Sequence, residues 1–400
     1  MICEVKMNGR KNFEMLLNHT ILSLTLSGIL SSPLLAGKSS VSLLRSSFSH
    51  SFSHVSYNTL HKLNIGACSF HQFRKSVVFT EGVPWNFTGY QKGRMKVQPE
   101  GNEVIEIWDA FFEDCIVEER GAAIFHYIPA WSGTCNVTRS SFIRCQTEDQ
   151  GGAIFFVGHD FLMDSCFGFN CSAIFGQFIY TFLYEYESQM NAVNYTSTLY
   201  CSMDNETGKD SGLKLWYGSP KVFELNTTRN YVAWESAAVY LHSSDISNTS
   251  VYFCTFSSCS GSSMIHAKLQ VKADFHCCSY INNTLTDNDV GHIDFENHVE
   301  MYKCVFLQNH GDRLFFQRNN GTLLLTKCKF DVPDGKWIGV TAEECKFDLE
   351  KPKTPCNDHL STFGIEGNEL CPNQQDKKDL LLGLFDYRRL YLDGLPKKKK

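Results

Sequence analysis

Cys254-Thr255-Phe256-Ser257-Ser258-Cys259 is the stretch on which the reading of this chain turns. Side chains of an extended strand alternate between two faces, so Cys254 and Phe256 project to one side and Thr255 and Ser257 to the other. The side that takes a thiol and a phenyl ring is the inside. Partial copies of the unit recur, with the aromatic slot filled by Phe70, Phe112, Phe142, Gly168, Met203, Phe223, Phe256, Tyr280, Phe306, Phe330 and Phe347. From Phe112 to Phe347 there are nine steps averaging about 26 residues, a period that marks solenoids and arrays.

Two further columns accompany the ring. Two positions before it stand Cys68, Cys166, Cys201, Cys254, Cys278, Cys304, Cys328 and Cys345; three positions after it stand Cys115, Cys145, Cys171, Asn226, Cys259, Asn283 and Asn309. A second element follows in most copies, small residues and then an apolar one: Gly121-Ala-Ala-Ile124, Gly151-Gly-Ala-Ile154, Ser172-Ala-Ile174, Ser236-Ala-Ala-Val239, Ser262-Ser-Met-Ile265 and Gly291-His-Ile293. Small residues there imply a corner where successive coils approach closely, leading into a buried strand such as Ala153-Ile-Phe-Phe-Val157. The segments are short, rich in β-branched and aromatic residues and separated by Asn, Asp, Gly and Ser, and no sustained helical period runs between them. A repeat of this kind buries its apolar face only by stacking on its neighbours. The expected fold is all-β, a right-handed parallel β-helix solenoid with capping ends.

The paired signatures Gly-Gly-Ala-Ile at Gly151–Ile154 and Phe-x-x-Asn at Phe223–Asn226, Tyr280–Asn283 and Phe306–Asn309 resemble the repeats of chlamydial polymorphic outer-membrane proteins. They are more similar still to trichomonad surface proteins, in which Cys often takes the Asn slot. The likeness covers roughly Cys68 to Phe347. It implies a pectate-lyase-like β-helix at the cell surface with an adhesive role, although no autotransporter barrel or membrane span is visible in this chain.

Composition bounds the function. With 43% hydrophobic and 20% charged residues the chain can bury a large core, and a net charge of -6 offers no basic field for a nucleic-acid backbone. Seventeen cysteines and N-x-[ST] acceptors at Asn18, Asn86, Asn136, Asn170, Asn194, Asn205, Asn226, Asn248, Asn282 and Asn320 point to a secreted or surface glycoprotein. Residues 1–37 are a candidate signal peptide, since Lys6, Arg10 and Lys11 precede the uncharged run Met15–Gly37. A first irregular coil is the alternative for that stretch. Residues 38–347 then form the repeat domain and 348–400 a C-terminal cap with a basic tail, in which Asp379–Leu392 reads as a short amphipathic helix over the last coil.

No constellation of residues dictates a reaction. His276-Cys277-Cys278 and Cys254–Cys259 cluster donors without the facing pairs that zinc requires, and Asp287-Asn-Asp289 reads as turn chemistry rather than a calcium loop, so neither metal nor cofactor is expected. Inward thiols of the repeat serve as small apolar fillers, with Cys115 and Cys145 a candidate pair; Cys356 and Cys371, beyond the repeats, are the better disulfide candidates. Gly158-His159-Asp160, Gly291-His292 and Gly311-Asp312-Arg313 do not match the Asp-Asp, Gly-His-Gly and Arg-x-Lys set of β-helix polygalacturonases. The ring ladder (Phe112, Phe142, Phe223, Phe256, Tyr280, Phe306 and Phe330) and the thiols are structural. The expectation is a non-catalytic protein of adhesion or glycan recognition, with a host or matrix surface or a carbohydrate as partner. A polysaccharide lyase or glycoside hydrolase is the alternative, because this architecture serves both.

Overall fold

The computed structural model describes residues 2–3, 6–8 and 19–348, apart from 29–32, 37–39, 58–61, 82–103, 129–132, 184–188, 203–210, 244–247, 269–271, 288 and 334–336. The chain divides into two units, residues 1–352 and 353–400, and the second lies wholly outside the described residues. The first is a parallel β-helix, whose three main sheets contain 14, 13 and 11 strands. One winding shows the pattern. Val104–Trp108 lies in the first sheet, Phe111–Glu113 in the second and Ile124–Tyr127 in the third, after which Thr134–Thr138 returns to pair in parallel with Val104–Trp108. Among the described residues every element is a strand, and no helix is long and apolar enough to cross a membrane.

The turn from the first sheet to the second is made by one left-handed residue. Arg45, Ala67, Asp109, Arg139, Ser165, Tyr195, Glu224, Phe253, Cys277, Lys303, Lys327 and Glu344 occupy it with φ between 44° and 59°. Such a conformation costs an ordinary residue about 1–2 kcal/mol. Stacking offsets it, because the N–H of each of these residues from Arg45 to Lys327 donates to the next winding: Arg139 to the Asp164 carbonyl at 3.0 Å, Lys303 to that of Thr326 at 2.9 Å. The backbone ladder thus continues around the bend.

The next residue points inward and has little room. Ser46, Cys68, Ala110, Ser140, Cys166, Thr196, Leu225, Cys254, Cys278, Cys304 and Cys328 fill this place, all buried. Where the side chain can donate, it donates to the carbonyl two residues earlier, as in Ser140 to Thr138 (2.8 Å), Thr196 to Asn194 (2.8 Å) and Cys254 to Tyr252 (3.3 Å). Cysteine is one of several small donors suited to this corner.

Two residues further on, the ring column runs along the second sheet in register. Phe48, Phe70, Phe112 and Phe142 follow one another, and Phe256, Tyr280, Phe306 and Phe330 form a second run. Ring centroids within each run lie 4.6–5.4 Å apart and near-parallel. Phe347 extends the second run at 5.0 Å from Phe330. Between the runs the slot passes through Gly168, Thr198 and Thr227. Gly168 is required there: a Cβ would stand 2.8 Å from the ring of Phe178, which enters from the opposite side.

This register corrects three expectations. Phe223 is not a rung of the ladder; it ends the first-sheet strand Ser219–Phe223, half-buried, opposite Asn194 and Tyr252. Asn226 opens the next second-sheet strand rather than occupying the later column, where Asn230 stands instead. Cys201 belongs to that later column too, since it lies three residues after Thr198, not two before an aromatic slot. The physical reason is common to all three: threonine hydroxyls satisfy one another at Thr198 and Thr227 (3.3 Å), so these windings need no ring.

The small-residue corner before the third sheet is also present. A Cβ on Gly152 would meet the Gln177 carbonyl oxygen at 2.1 Å, so the coils are in backbone contact. Ser172-Ala-Ile174 departs from the expectation, because the third-sheet strand of that winding is Ile179–Leu183, aligned on Ile154–Gly158. Within the N-terminal 37 residues, His19–Leu22 pairs with Val41–Leu44 and Leu35–Ala36 pairs with Ser56–Tyr57. These strands continue the stacking of the first and third sheets.

Candidate functional site

The interior of the solenoid is filled. The residues singled out by the repeat line it: Phe112, Phe142, Phe256, Tyr280, Phe306, Phe330, Cys254, Cys278, Cys304 and Cys328 are buried, and Cys345 is half-buried at the last winding. No described cysteine is in a disulfide, so the candidate pair Cys115 and Cys145 is unbridged. Burial raises the thiols of Cys135, Cys166 and Cys259 to about 12. A nucleophile needs the thiolate, so these groups are inert. In the later column Asn283 and Asn309 take over, each amide donating to the carbonyl of the ring residue below, Phe256 at 2.9 Å and Tyr280 at 2.8 Å.

Among the described residues a site would therefore lie on an outer face, and the three faces differ. The first carries polar residues closed into ion pairs, such as Lys62 with Glu106 at 2.8 Å and Lys272 with Glu300 at 2.8 Å. The second mixes Ser, Thr and aliphatic residues with the rings of Phe111, Phe167 and Phe169. The third presents two outward columns rich in rings. One runs Tyr57, Phe79, Phe125, Phe155, Tyr180, Lys214, Tyr240, His266, Asp294, Phe316 in successive windings. The other contains Phe182, Trp216, His242 and Lys268 in register.

Along this face the character changes. Phe79, Phe125, Phe155 and Tyr180 form a covered aromatic cluster with Val157. Lys214 then stands among four rings, its Nζ 4.7 Å from the centroid of Tyr240, 5.0 Å from Trp216, 5.7 Å from Tyr180 and 6.0 Å from Phe175. An ammonium over ring faces is held by the quadrupole of the rings. Trp216 and His242 stack at 5.7 Å, and the indole Nε1 and the His242 Nδ1 are both buried without a hydrogen-bond partner. Burial, then the charge of Lys268, lowers His242 to about 4, so its imidazole is neutral near neutral pH.

The next windings bring ionic groups. Asp294 is buried and receives the Arg318 guanidinium Nε at 2.7 and 2.8 Å on its two oxygens. Just past the end of the Asp294 strand, Glu296 meets His266 at 3.9 Å and Asn319 at 3.3 Å. Burial raises the Asp294 carboxyl, whereas the neighbouring His266 imidazole lowers that of Glu296. Both guanidiniums, Arg313 at 5.7 Å and Arg318 at 5.6 Å, lie over the ring of Phe316.

The other sequence candidates fall elsewhere. His276, Cys277 and Cys278 diverge: His276 ends a first-sheet strand facing out, Cys277 is the corner residue and Cys278 points inward. Asp287 accepts the Asp289 N–H at 2.9 Å, which closes a turn. Among the described residues no group of three or more His, Cys, Asp or Glu is placed to hold a metal ion. His292 is buried with neither ring nitrogen paired, and His159 contacts its neighbour Asp160 at 2.9 Å. Of the glycosylation candidates, Asn248 and Asn320 are exposed, while Asn136, Asn170, Asn194, Asn226 and Asn282 are half-buried. Asn18, Asn86, Asn205, Met203, Cys356, Cys371 and Asp379–Leu392 lie outside the described residues.

Only Gly311-Asp312-Arg313 among the sequence candidates contributes to the third face, through Arg313. Lys214, Trp216, His242, His266, Asp294, Glu296, Phe316 and Arg318 were not singled out by the sequence. The one usable signal was a non-apolar residue two places into a buried strand, as in Leu213-Lys-Leu-Trp216 and Ile293-Asp-Phe-Glu296. In comparisons with known proteins, no family model, no curated protein and no solved structure matches this chain.

Proposed function

We propose that this protein is a non-catalytic, exported β-helix protein that recognises glycans through the outer face of its third sheet. The observation that carries the reading is the gathering of rings with hydrogen-bonding and charged groups on that face: Trp216, Tyr240 and Phe316 beside His242, Lys268 and Arg313. A sugar offers an apolar C–H face and a rim of hydroxyls, and concave or flat sites of this mixed composition suit it. Adhesion to a host or matrix surface and a relationship to polymorphic outer-membrane or trichomonad surface proteins are part of the same proposal. Its support is the repeat chemistry, in which Asn283 and Asn309 of the Phe-x-x-Asn units act as interior backbone ties. Export draws its support from the acceptor sites and the N-terminal charge pattern; the cysteines lend less, since those from Cys68 to Cys345 form no disulfide and most are interior. The test is binding of the purified full chain to an array of immobilised neutral and acidic saccharides. Binding that survives in Trp234→Ala, an exposed indole in the turn before the strand Ser236–His242, but drops about ten-fold in Trp216→Ala supports the reading, and absence of binding to all saccharides refutes it.

A polysaccharide lyase or glycoside hydrolase is the second reading, favoured by one observation. Asp294, on the strand Ile293–Phe295, and Glu296, just past its end, have surroundings that push their carboxyls in opposite directions, the arrangement that separates an acid from a base. Release of reducing ends or unsaturated products from a polysaccharide, abolished in Glu296→Gln, would establish it over recognition alone.

A further inference from the structure

The molecule carries a net charge of -6, yet the far part of the third face is locally cationic. Lys268, Arg313 and Arg318 stand on or beside it with Asp294 and Glu296; Arg318 binds Asp294, and Glu296 lies 3.9 Å from His266. Among the described residues Lys268 and Arg313 have no carboxylate within ion-pair distance. Arg313 donates only to the Asp289 carbonyl at 3.4 Å. Cations gathered on one face of an acidic protein create a local field that selects for ligands of opposite sign.

A buried donor points the same way. Trp216 Nε1 can only donate, and among the described residues it has no acceptor; His242 Nδ1 beside it, donor or acceptor by tautomer, is likewise unpaired. Buried groups of this kind are normally satisfied, so an acceptor from outside the chain is the expected complement. The rings supply the platform. Trp216, His242 and Lys268 occupy consecutive windings, and Phe316 lies two windings beyond His266, flanked by both guanidiniums. At one strand spacing per winding, Trp216 to Phe316 spans roughly 19 Å along the axis, room for several sugar rings.

We infer that the outer face from Trp216 to Phe316 binds an anionic saccharide laid along the solenoid axis, its carboxylate or sulfate groups at Lys268 and Arg313 and its ring faces on Trp216 and Phe316. The inference rests on the glycan-recognition reading and adds the charge of the ligand.

The experiment is calorimetric titration of the full chain with three hexasaccharides: chitohexaose, which is neutral, a hyaluronan hexamer, which carries carboxylates, and a heparin hexamer, which carries sulfates as well. One or both anionic hexamers should bind about ten-fold or more tightly than chitohexaose and weaken as salt is raised. The comparison between them separates carboxylate from sulfate. Lys268→Gln with Arg313→Gln should erase the preference, whereas Lys62→Gln on the first face should not. Both altered residues are at least partly exposed, and circular dichroism checks that the fold is kept. Equal affinity for all three hexamers, or an unchanged preference in the double variant, overturns the anionic assignment and leaves glycan recognition standing. Failure to bind any of the three overturns both.

Discussion

The rings of Phe112 and Phe142 lie 4.9 Å apart with planes 1° from parallel, one winding above the other. Both are fully buried, so each ring is packed by its neighbours in the column rather than by a separate core. Phe142→Ala would remove a rung and leave a cavity that rigid strands cannot close. The expected loss is about 3–5 kcal/mol, read by urea denaturation. Phe223→Ala, at the half-buried end of a first-sheet strand, should cost about 1 kcal/mol or less. Equal losses at the two sites would contradict this register.

Gly168 interrupts that ladder and admits Phe178. Gly168→Ala places a methyl 2.8 Å from the Phe178 ring and should destabilise by about 1–3 kcal/mol despite the small added volume. The paired variant Gly168→Ala with Phe178→Leu should recover part of the loss, as a double-mutant cycle would show.

Acid should weaken the solenoid before carboxylate chemistry dominates. Burial lowers His126 to about 3, His242 to about 4 and His292 to about 4, against an ordinary 6.5. Between those values and 6.5 the unfolded chain binds more protons than the folded one, so stability rises with pH and is lost as pH falls through that window. A ten-fold difference in proton affinity between folded and unfolded chain is worth about 1.4 kcal/mol, so the three histidines together contribute several kcal/mol. Thermal melts from pH 7 to pH 4 should show a steep fall. His126 stacks on Phe156 at 4.9 Å with neither ring nitrogen bonded, so His126→Phe should both flatten the fall and stabilise the protein by about 1 kcal/mol at pH 7.

Thiol reactivity should divide by exposure. Cys277 and Cys345 are half-buried, and the other described cysteines are buried. Iodoacetamide with mass spectrometry should label Cys277 and Cys345 in the folded protein, slowly because both thiols are raised, and the interior columns only after denaturation. Rapid labelling of Cys145 or Cys304 in the native state would contradict their placement.

Expression through a eukaryotic secretory pathway should give glycans at Asn248 and Asn320, the two exposed acceptors among the described ones. Asn320 follows Asn319 in a turn in which Gly321 donates to the Arg318 carbonyl at 2.8 Å. Glycopeptide mapping that finds Asn226 filled and Asn320 empty would reverse this order.

The sequence by itself determined the architecture and what fills it. Period-two alternation puts Cys254, Phe256 and their equivalents on one side, and a repeat too short to close its own core must stack. The tertiary structure alone decided register and site. Phe223 carries the same side chain as a rung but lies outside the column, because Thr198 and Thr227 hydroxyls pair in the slot that a search for rings passes over. The face built from Trp216, His242, Lys268 and Phe316 is assembled from one or two residues per winding, far apart in the chain. Outward positions repeat no motif, since nothing but their neighbours across the windings constrains them, and those neighbours are set only when the coils stack.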